Sequence, residues 1–523
     1  MRQRSDRMEH QAVNQSKFIY WASGIVSICG IVFEVLFGAL GSYILGDGVK
    51  QYTLTISLFL TGMGIGASVS EKVLKQLVIA FVYIEFSVAL IGGFSSFTMF
   101  GITAYSPAGS DAIFLYVITF LVGALTGVEL PILIRKANEL GVSLNRSTAR
   151  VLFSDYAGGL IGGLLFVFFL RPYLGMVKTA FFGGFINISV ALVVLWLFRK
   201  EMKKLSLHFT IGLTIAILLF LGFLFGEEAA FSFEQKLYKD PIIHMEESKY
   251  QKIILTEEEG DVRLYLDGQL QLSSIDEFRY HELLVHPTFA QAEEHKRVLI
   301  LGGGDGVAAK EALKYKEVES ITLVDLDPAV VELAKHNRWL TSLNQGSLEN
   351  EKVHVVHMDA FEYLEKSKER FDVILVDLPD PNNESLNKLY TKEFYSLVRN
   401  HTKAGGAFMV QATSPVFATD VYWTITNTIA STGVHTENFH TDVPSFGNWG
   451  FVLGSRNPIE VERLAVDVET RYLKTEMLKG LTYFGKDEDA EIMNEQGEPL
   501  ELAVNSLIDP ILIQLYENAW KYY

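Results

Sequence analysis

The fold of the C-terminal half of the chain is decided by residues 298–306, which read VLILGGGDG. The four apolar residues predict a buried strand, and the glycines let the backbone approach a ligand before a helix that begins near Val307. Asp325 follows a second apolar strand, about 20 residues after the loop, where a carboxylate reaches ribose hydroxyls in Rossmann-like sheets. Asp305, inside the loop, would repel phosphate and attract a cation. The loop therefore predicts binding of a positively charged adenosine derivative.

The chain beyond this loop alternates strands and helices. Apolar strands at 353–356 and 373–376, with helices between them, predict a doubly wound parallel sheet, in which ligands collect beyond the carboxyl ends of the strands. Four successive strand ends carry acids, namely Asp305, Asp325, Asp359 and Asp377. One such acid is expected as a helix cap, whereas capping is not expected to explain all four. The row predicts a site for cationic substrates.

An amine substrate sets a further requirement on these acids. An alkylammonium group is attracted by carboxylates, but its nitrogen is nucleophilic only after losing a proton, and a lysine-like amine has a pKa of about 10.4. Asp377 and Asp380 lie three residues apart in a loop that prolines 379 and 381 keep from becoming helical. We expect one carboxylate to accept the proton and the other to hold the charge.

A β-rich stretch from about 249 to 271 precedes the glycine loop and ends in the hairpin signal Asp267-Gly268. A helix is predicted after it, with Glu277, Tyr280 and His281 on one face. A single histidine on a helix is usually structural, but the aromatic residue and the acids around this one favour a binding role.

Composition separates the chain into two parts. It has 523 residues, 49% of them hydrophobic, and a mean hydropathy of +0.21, which indicates more than one domain and a membrane part. Up to residue 226 there are 17 Lys and Arg against 11 Asp and Glu, net +6, and the remainder has 28 against 51, net −23. The acidic remainder excludes nucleic acid as an expected partner. The single cysteine, Cys29, excludes an internal disulfide.

The N-terminal part contains long apolar stretches, each near the roughly 20 residues that cross a bilayer as helix. There are seven, at about 18–45, 52–70, 77–104, 113–134, 151–170, 176–198 and 208–226. Basic residues in alternate loops place the N-terminus inside, so that seven crossings would leave the acidic part outside. A domain that needs intracellular metabolites is expected in the cytoplasm. A re-entrant stretch, or a break in the third stretch near its glycines, would reconcile the two.

Four carboxylates lie within these stretches: Glu34, Glu85, Glu129 and Asp155. A carboxylate at membrane depth is costly enough to be a functional hypothesis, here the transport or sensing of a cation. Pairing with neighbouring helices is the structural alternative. The glycine-rich stretch 155–163 is predicted to serve close helix packing.

Several short motifs occur in one order along the acidic part. They are Ser248-Lys249-Tyr250-Gln251, Leu266-Asp267-Gly268 with Gln271, Asp276-Glu277, Tyr280-His281-Glu282, the 302–306 loop, Val324-Asp325-Leu326-Asp327, Asp359-Ala360 and Asp377 to Pro381. This order resembles the spermidine synthase (polyamine aminopropyltransferase) family over about 230–456, and the N-terminal part resembles the multi-pass extension of its membrane-bound branch. We therefore expect a multi-pass α-helical membrane domain, then an α/β Rossmann-like (class I methyltransferase-like) catalytic domain with a small N-terminal β-subdomain.

The resemblance implies a reaction and a set of roles. Decarboxylated S-adenosylmethionine would donate its aminopropyl group to putrescine, giving spermidine and 5′-methylthioadenosine, with no metal or redox cofactor. Gln251 would contact the nucleoside, Asp325 the ribose, and Asp359 with Ala360 the adenine. Asp305 would hold the donor amine, and Tyr280 with His281 would line the polyamine channel. Asp377 would accept the proton and Asp380 would anchor the acceptor.

The sequence departs from the family pattern on the acceptor side. Leu378 and Pro379 stand where many members have Ser or Thr, and Phe446 stands near a tyrosine that contacts the diamine in soluble members. Another diamine or a triamine thus stays open as acceptor. A methyltransferase and a transporter or sensor with a weakly active synthase domain are the rival functions.

The expected boundaries are 1–226 for the membrane domain of about seven helices, 227–290 for the β-rich subdomain, 291–456 for the transferase domain and 457–523 for a helical extension. The extension, with Trp520, Tyr522 and Tyr523, is predicted to pack on the catalytic domain or the membrane surface and to carry no chemistry. The lipid bilayer is the expected partner besides the substrates, and a homo-oligomer is left open.

Overall fold

The computed structural model describes residues 2–46, 48–107, 109–489 and 503–519. Trp520, Tyr522 and Tyr523 lie outside the described residues. The chain divides into two compact units, Met1–Lys239 and Asp240–Tyr523.

The first unit is helical, and its helices coincide with the seven apolar stretches. They are α1 (Arg2–Leu45), α2 (Gly48–Val69), α3 (Leu77–Gly93), α4 (Ser95–Tyr105), α5 (Ser110–Glu139), α6 (Leu144–Leu165), α7 (Arg171–Leu197) and α8 (Leu205–Glu234). Within the described residues, five helices are long and apolar enough to cross a membrane, or up to six if the bent pair α3 and α4 forms one span. These helices indicate a membrane protein.

Two interruptions bear on how many times the chain crosses. The third apolar stretch is broken between α3 and α4, which bend by 42° at Phe94, beside Gly92 and Gly93. Residues Leu144–Leu197 form 54 residues of helix, about 80 Å at 1.5 Å per residue, more than twice a hydrocarbon core of about 30 Å. Gly175, with φ 65°, breaks this helix between the stretches 151–170 and 176–198.

Glycines bring the helices of this unit into backbone contact. A Cβ on Gly158 or Gly162 of α6 would lie 2.3 Å from the Gly24 carbonyl oxygen or 2.6 Å from that of Ile28, both on α1. The prediction that the glycine-rich stretch serves close packing is confirmed. The membrane carboxylates lie within the same bundle: Glu34, Glu85 and Glu129 are buried, and Asp155 is half-buried.

The second unit begins with a four-stranded antiparallel sheet in chain order. Its strands are β1 (Ile242–Glu247), β2 (Lys252–Glu258), β3 (Asp261–Leu266) and β4 (Gln269–Ser273). Asp267 and Gly268 link β3 to β4 with φ values of 48° and 80°, the left-handed conformation that a tight hairpin turn requires. The predicted hairpin is confirmed.

A larger α/β region follows. Its elements are α9 (Glu277–Gln291), β5 (Arg297–Gly302), α10 (Val307–Ala312), β6 (Ser320–Asp325), α11 (Pro328–His336), α12 (Arg338–Asn344), β7 (Val353–His357), α13 (Ala360–Lys366), β8 (Phe371–Asp377), α14 (Glu384–Asn387), α15 (Lys392–His401), β9 (Thr402–Gln411), α16 (Thr419–Ala430), β10 (His435–Val443), β11 (Gly447–Ser455) and α17 (Ile511–Ala519).

The seven strands form one mixed sheet in the order β10-β11-β9-β8-β5-β6-β7. β9, β8, β5, β6 and β7 are parallel, because helices return the chain each time, and β11 and β10 add antiparallel strands at one edge. The expected fold class is confirmed. β8, β5, β6 and β7 are neighbours, so the four predicted acids lie in a row beyond the carboxyl ends of these parallel strands.

The residues after β11 pack on this unit. Leu464, Leu473 and Leu478 are buried in the core on one side of the sheet, and Leu512 of α17 is buried in the core on the other. The extension therefore belongs to the catalytic unit, one of the two placements that the sequence predicts.

Candidate active site

The glycine loop joins the ends of β5 and β8. Gly302 has φ +84°, and a Cβ there would lie only 1.9 Å from the carbonyl oxygen of Asp377. The Gly303 N–H donates to that same oxygen at 3.2 Å, and the Gly304 N–H donates to Asp325 Oδ2 at 3.0 Å. Glycine is required at 302 because no side chain fits between the two strands. The loop thereby brings Asp377 and Asp325 to one place.

Asp377 is held by two side chains from α9. The Tyr280 hydroxyl donates to Asp377 Oδ1 at 2.7 Å, and His281 Nε2 lies 4.0 Å from Oδ2. Burial raises the pKa of Asp377 to about 6, and the charge of Asp305 adds to that rise, while His281 and the Tyr280 hydrogen bond oppose it. Asp377 is therefore a carboxylate at neutral pH with a higher proton affinity than an exposed aspartate.

His281 belongs to a buried chain of charges. Its Nδ1 lies 3.1 Å from Glu277 Oε2, and Lys310 Nζ lies 3.1 Å from Glu277 Oε1. Burial opposes protonation of His281, but the hydrogen bond and charge of Glu277, with Asp305 and Asp377, raise its pKa to about 9. The predicted helix face is confirmed, since Glu277, Tyr280 and His281 converge. Glu277 and Lys310 were not predicted as site residues from the sequence.

The predicted nucleoside residues lie beside the loop. Asp325 accepts from the N–H groups of Gly304 and Asp327, and burial raises its pKa to about 6 although these hydrogen bonds oppose the rise. The Gln251 side-chain amide donates to Asp327 Oδ2 at 3.0 Å, beside a hydrogen bond of 2.6 Å from Ser248 to the same oxygen. Gln251 and Asp325 are thus linked through Asp327, which connects the small sheet to the large one.

Three of the four acids in the row accept local backbone hydrogen bonds, and one of them, Asp359, caps a helix. Asp305 Oδ1 accepts from the Val307 N–H at 2.7 Å, Asp325 accepts from the Asp327 N–H, and Asp359 caps α13. Asp377 differs, because its carboxylate is held by the side chains of Tyr280 and His281 from α9. The expectation that capping would not explain all four acids is therefore confirmed, because Asp359 is the N-cap of α13, whereas the N-caps of α10 and α11 are Gly306 and Asp327.

Asp359, which follows β7, also has a side-chain partner from a later part of the chain. Lys388 Nζ lies 2.7 Å from Asp359 Oδ2, and Ala360, the first residue of α13, is buried. Lys388 lies 29 residues further along the chain and was not predicted as a partner of Asp359.

Asp380 lies in a separate polar pocket with neutral donors. Gln411 Nε2 donates to its Oδ1 at 3.2 Å, while the hydroxyls of Thr413 and Tyr516 donate to its Oδ2, each at 3.0 Å. Burial raises the pKa of Asp380 against these hydrogen bonds. Gln411 is the last residue of β9 and Thr413 lies two residues beyond it, and neither belongs to a sequence motif. Tyr516 lies in the extension that was predicted to have no chemistry.

Aromatic contacts connect Tyr280, which binds Asp377, with Trp449, which binds Gln411 of this pocket. The Phe446 ring centroid is 6.3 Å from that of Tyr280 and 5.5 Å from that of Trp449. Trp449 Nε1 donates to Gln411 Oε1 at 3.2 Å. An alkyl chain between two amines would suit such apolar walls with a carboxylate at either end.

Comparisons with known proteins agree with this geometry. The spermine/spermidine synthase domain family matches residues 277–464. A polyamine aminopropyltransferase of Oceanobacillus iheyensis is 69% identical over 516 residues, 99% of this chain and 100% of that protein. This chain belongs to the polyamine aminopropyltransferase family. The enzyme of the same name from Leptospira interrogans is 39% identical to this aminopropyltransferase, over 96% of this chain and 98% of its own.

A solved spermidine synthase from Thermotoga maritima is 26% identical, with a TM-score of 0.43, over 47% of this chain and 84% of that one. The family assignment makes the chain a transferase of polyamine biosynthesis, which uses an aminopropyl donor and a polyamine acceptor. An acidic site for two cationic substrates fits that activity.

Proposed function

We propose that this aminopropyltransferase moves the aminopropyl group of decarboxylated S-adenosylmethionine to putrescine, giving spermidine and 5′-methylthioadenosine. The observation that carries the proposal is Asp377, a nearly buried carboxylate oriented by Tyr280 and His281 beside the glycine loop. Asp305 and Asp325 extend the site along the sheet edge, and Asp380 extends it into the second pocket. We take the side with Asp305 and Asp325 as the donor half of the site and the side with Asp380 as the acceptor half.

The chemistry follows from this arrangement. The acceptor nitrogen attacks the methylene carbon bonded to the sulfonium, the carbon–sulfur bond breaks, and its electron pair stays on sulfur, which leaves as a neutral thioether. The proton lost by nitrogen goes to Asp377, whose pKa of about 6 keeps it ionised at neutral pH yet able to accept the proton. The sulfonium is already an activated leaving group. Rate enhancement therefore derives from positioning and deprotonation.

The donor half is assigned by strand end. Asp325 would bind the ribose hydroxyls, Gln251 would contact the nucleoside, Asp359 with Ala360 would contact the adenine, and Asp305 would bind the donor amine. The short hydrogen-bonded links from Gly304 to Asp325 and from Gln251 to Asp327 support this, because they hold these groups around one loop.

The acceptor half runs from Asp377 towards Asp380. Tyr280 and His281 would line the channel and Asp380 would bind the distal ammonium of the amine. Phe446 has no hydroxyl to offer the amine, so the preferred acceptor is tested against other diamines and a triamine.

Release of methylthioadenosine by the purified full chain tests the proposal. Wild type, Asp377→Asn and the control Asp467→Asn, an exposed carboxylate of the extension, are compared with decarboxylated donor and putrescine, 1,3-diaminopropane, cadaverine or spermidine. We expect putrescine to be preferred and Asp377→Asn to lose about 10²–10⁴-fold in kcat, as for removal of a general base. Intact S-adenosylmethionine is the donor that a methyltransferase would use.

The outcomes separate the parts of the proposal. Absence of turnover by wild type with every amine would refute the synthase reaction, and preference for another amine would refute putrescine alone. Full activity of Asp377→Asn would refute only the role of Asp377.

We further propose that residues 1–226 form the membrane domain and that the catalytic part, divided at 227–290, 291–456 and 457–523, faces the cytoplasm. A re-entrant α3 and α4 pair, with Leu144–Leu197 crossing twice, would give six crossings and put both ends on one side; the break at Phe94 supports this. Ile508→Cys adds a thiol at a position 94% exposed, whereas Cys29 is buried. An impermeant maleimide should label it only in permeabilised cells, and labelling in intact cells would contradict the proposal.

A further inference from the structure

The C-terminal helix α17 contributes a side chain to the acceptor pocket. The Tyr516 hydroxyl donates to Asp380 Oδ2 at 3.0 Å, across 136 residues of sequence. α17 lies beyond residues 277–464, the part that matches the synthase domain family. The contact therefore comes from a part of the chain that the family domain does not include.

The segment before α17 is anchored to the catalytic unit. Asn505 is fully buried, and its side-chain amide donates to the Tyr390 carbonyl at 2.9 Å and to Asn387 Oδ1 at 3.2 Å. The Lys392 N–H donates to the Asn505 carbonyl at 2.9 Å, and Leu512 is fully buried in the core. These contacts fix the position of Tyr516, so its hydroxyl is placed by packing and is not a loose surface contact.

Among the residues that the structure describes, Asp380 has three hydrogen-bond donors and no ion pair. Gln411, Thr413 and Tyr516 are all neutral, so they orient the carboxylate without cancelling it. Thr413 holds this position with φ 61°, an uncommon conformation for a β-branched residue and one typical of functional sites. A buried carboxylate held by neutral donors is suited to bind an alkylammonium group.

We propose that Tyr516 is a positioning residue that fixes Asp380 for the distal ammonium of the acceptor, so that the C-terminal extension helps to set acceptor selectivity. The inference rests on the proposed function, because it takes Asp380 as the acceptor anchor. Phe446 cannot supply a hydroxyl on this side, and Tyr516 supplies one from a different element.

Steady-state kinetics of Tyr516→Phe test the inference. The change removes one hydroxyl and keeps the ring, and we expect the KM for the amine to rise about tenfold, the usual effect of losing a hydrogen bond to a charged group. The KM for the donor and kcat should stay within about twofold, and discrimination between putrescine and cadaverine should fall. A general loosening of the fold would not produce this split.

Two other variants serve as references. Tyr395→Phe removes a buried hydroxyl that has no hydrogen-bond partner within the described chain, so it should leave every kinetic constant near wild type. Asp380→Asn should raise the amine KM at least as much as Tyr516→Phe. If Tyr516→Phe does not fold, Tyr516→His keeps a ring and an N–H donor and should hold the amine KM within about threefold.

The results distinguish the inference from the function on which it rests. An unchanged amine KM in Tyr516→Phe, with a raised KM in Asp380→Asn, overturns the inference and leaves the function standing. Unchanged amine KM in both overturns the role of Asp380 and therefore also the inference. An equal rise in donor and amine KM, or an amine KM in Tyr516→His as high as in Asp380→Asn, also overturns it.

Discussion

Replacing Tyr280 with phenylalanine should move the pH dependence of the reaction. The Tyr280 hydroxyl donates to Asp377 Oδ1 at 2.7 Å, and this hydrogen bond lowers the pKa of Asp377 by stabilising the carboxylate. Its removal should therefore raise that pKa from about 6. Because Asp377 must be ionised to accept a proton, activity is lost as the pH falls through its pKa, and the acidic limb should shift to higher pH.

The size of the shift follows from the strength of the bond. A hydrogen bond to a charged group contributes about 1.5–3 kcal/mol, and about 1.4 kcal/mol corresponds to one pKa unit. Water that enters the space of the lost hydroxyl will restore part of the interaction. We therefore expect the acidic limb to move up by about one pH unit, with a smaller loss of activity at pH 8 than at pH 6.

The assay is kcat/KM for methylthioadenosine release between pH 5 and 9. The acceptor amine ionises identically in both reactions, so the difference between wild type and variant reports on the enzyme. Tyr395→Phe is the matched control, since its hydroxyl has no hydrogen-bond partner among the described residues. A Tyr280→Phe profile that falls in parallel with wild type, without displacement of the limb, would refute the coupling between Tyr280 and Asp377.

Two predictions concern the framework of the site. Gly302→Ala should abolish activity, because its Cβ would lie 1.9 Å from the Asp377 carbonyl oxygen. The control Gly260→Ala, at a position with φ +89° and no described atom within 4 Å, should cost only about 1 kcal/mol of stability. Equal losses for the two variants in activity assays and thermal melts would contradict this reasoning. Glu282→Gln should reduce the unfolding free energy of the purified chain by about 2–4 kcal/mol and so lower its melting temperature. The reason is that the Glu282 carboxylate accepts hydrogen bonds from the N–H groups of residues 471–473 at 2.6–2.9 Å. An unchanged melting temperature would show that these bonds contribute little.

The parts of the site that could be predicted from the sequence are those that depend on local sequence patterns. A run of apolar residues followed by an acid identifies a strand end, and the rules of parallel sheets then place Asp305, Asp325, Asp359 and Asp377 at one edge. Helical spacing likewise placed Tyr280 and His281 together. The same patterns could not indicate which acids also accept a local backbone hydrogen bond, because such a bond and a role in ligand binding use the same residue type in the same position.

The partners of these residues depended on tertiary packing and were not predictable. Lys310 reaches Glu277 only because α10 packs on α9, and Lys388 reaches Asp359 from a turn beyond β8. Tyr516 is the extreme case, since nothing in residues 511–519 resembles a binding motif. The sequence predicts that the extension packs on the catalytic domain or the membrane surface, but it could not indicate that Tyr516 would contact a carboxylate.

The hydrogen bonds from the N–H groups of residues 471–473 to Glu282 matter for the preparation of a soluble catalytic fragment. The family boundary at residue 464 would remove the three donors and leave a buried carboxylate, adjacent to His281 in sequence, without them. The same cut would remove α17 from Asp380. A fragment that ends there would be impaired at two places in the acceptor half of its site for reasons unrelated to loss of the membrane helices. Its weak activity would then be wrongly attributed to the loss of those helices.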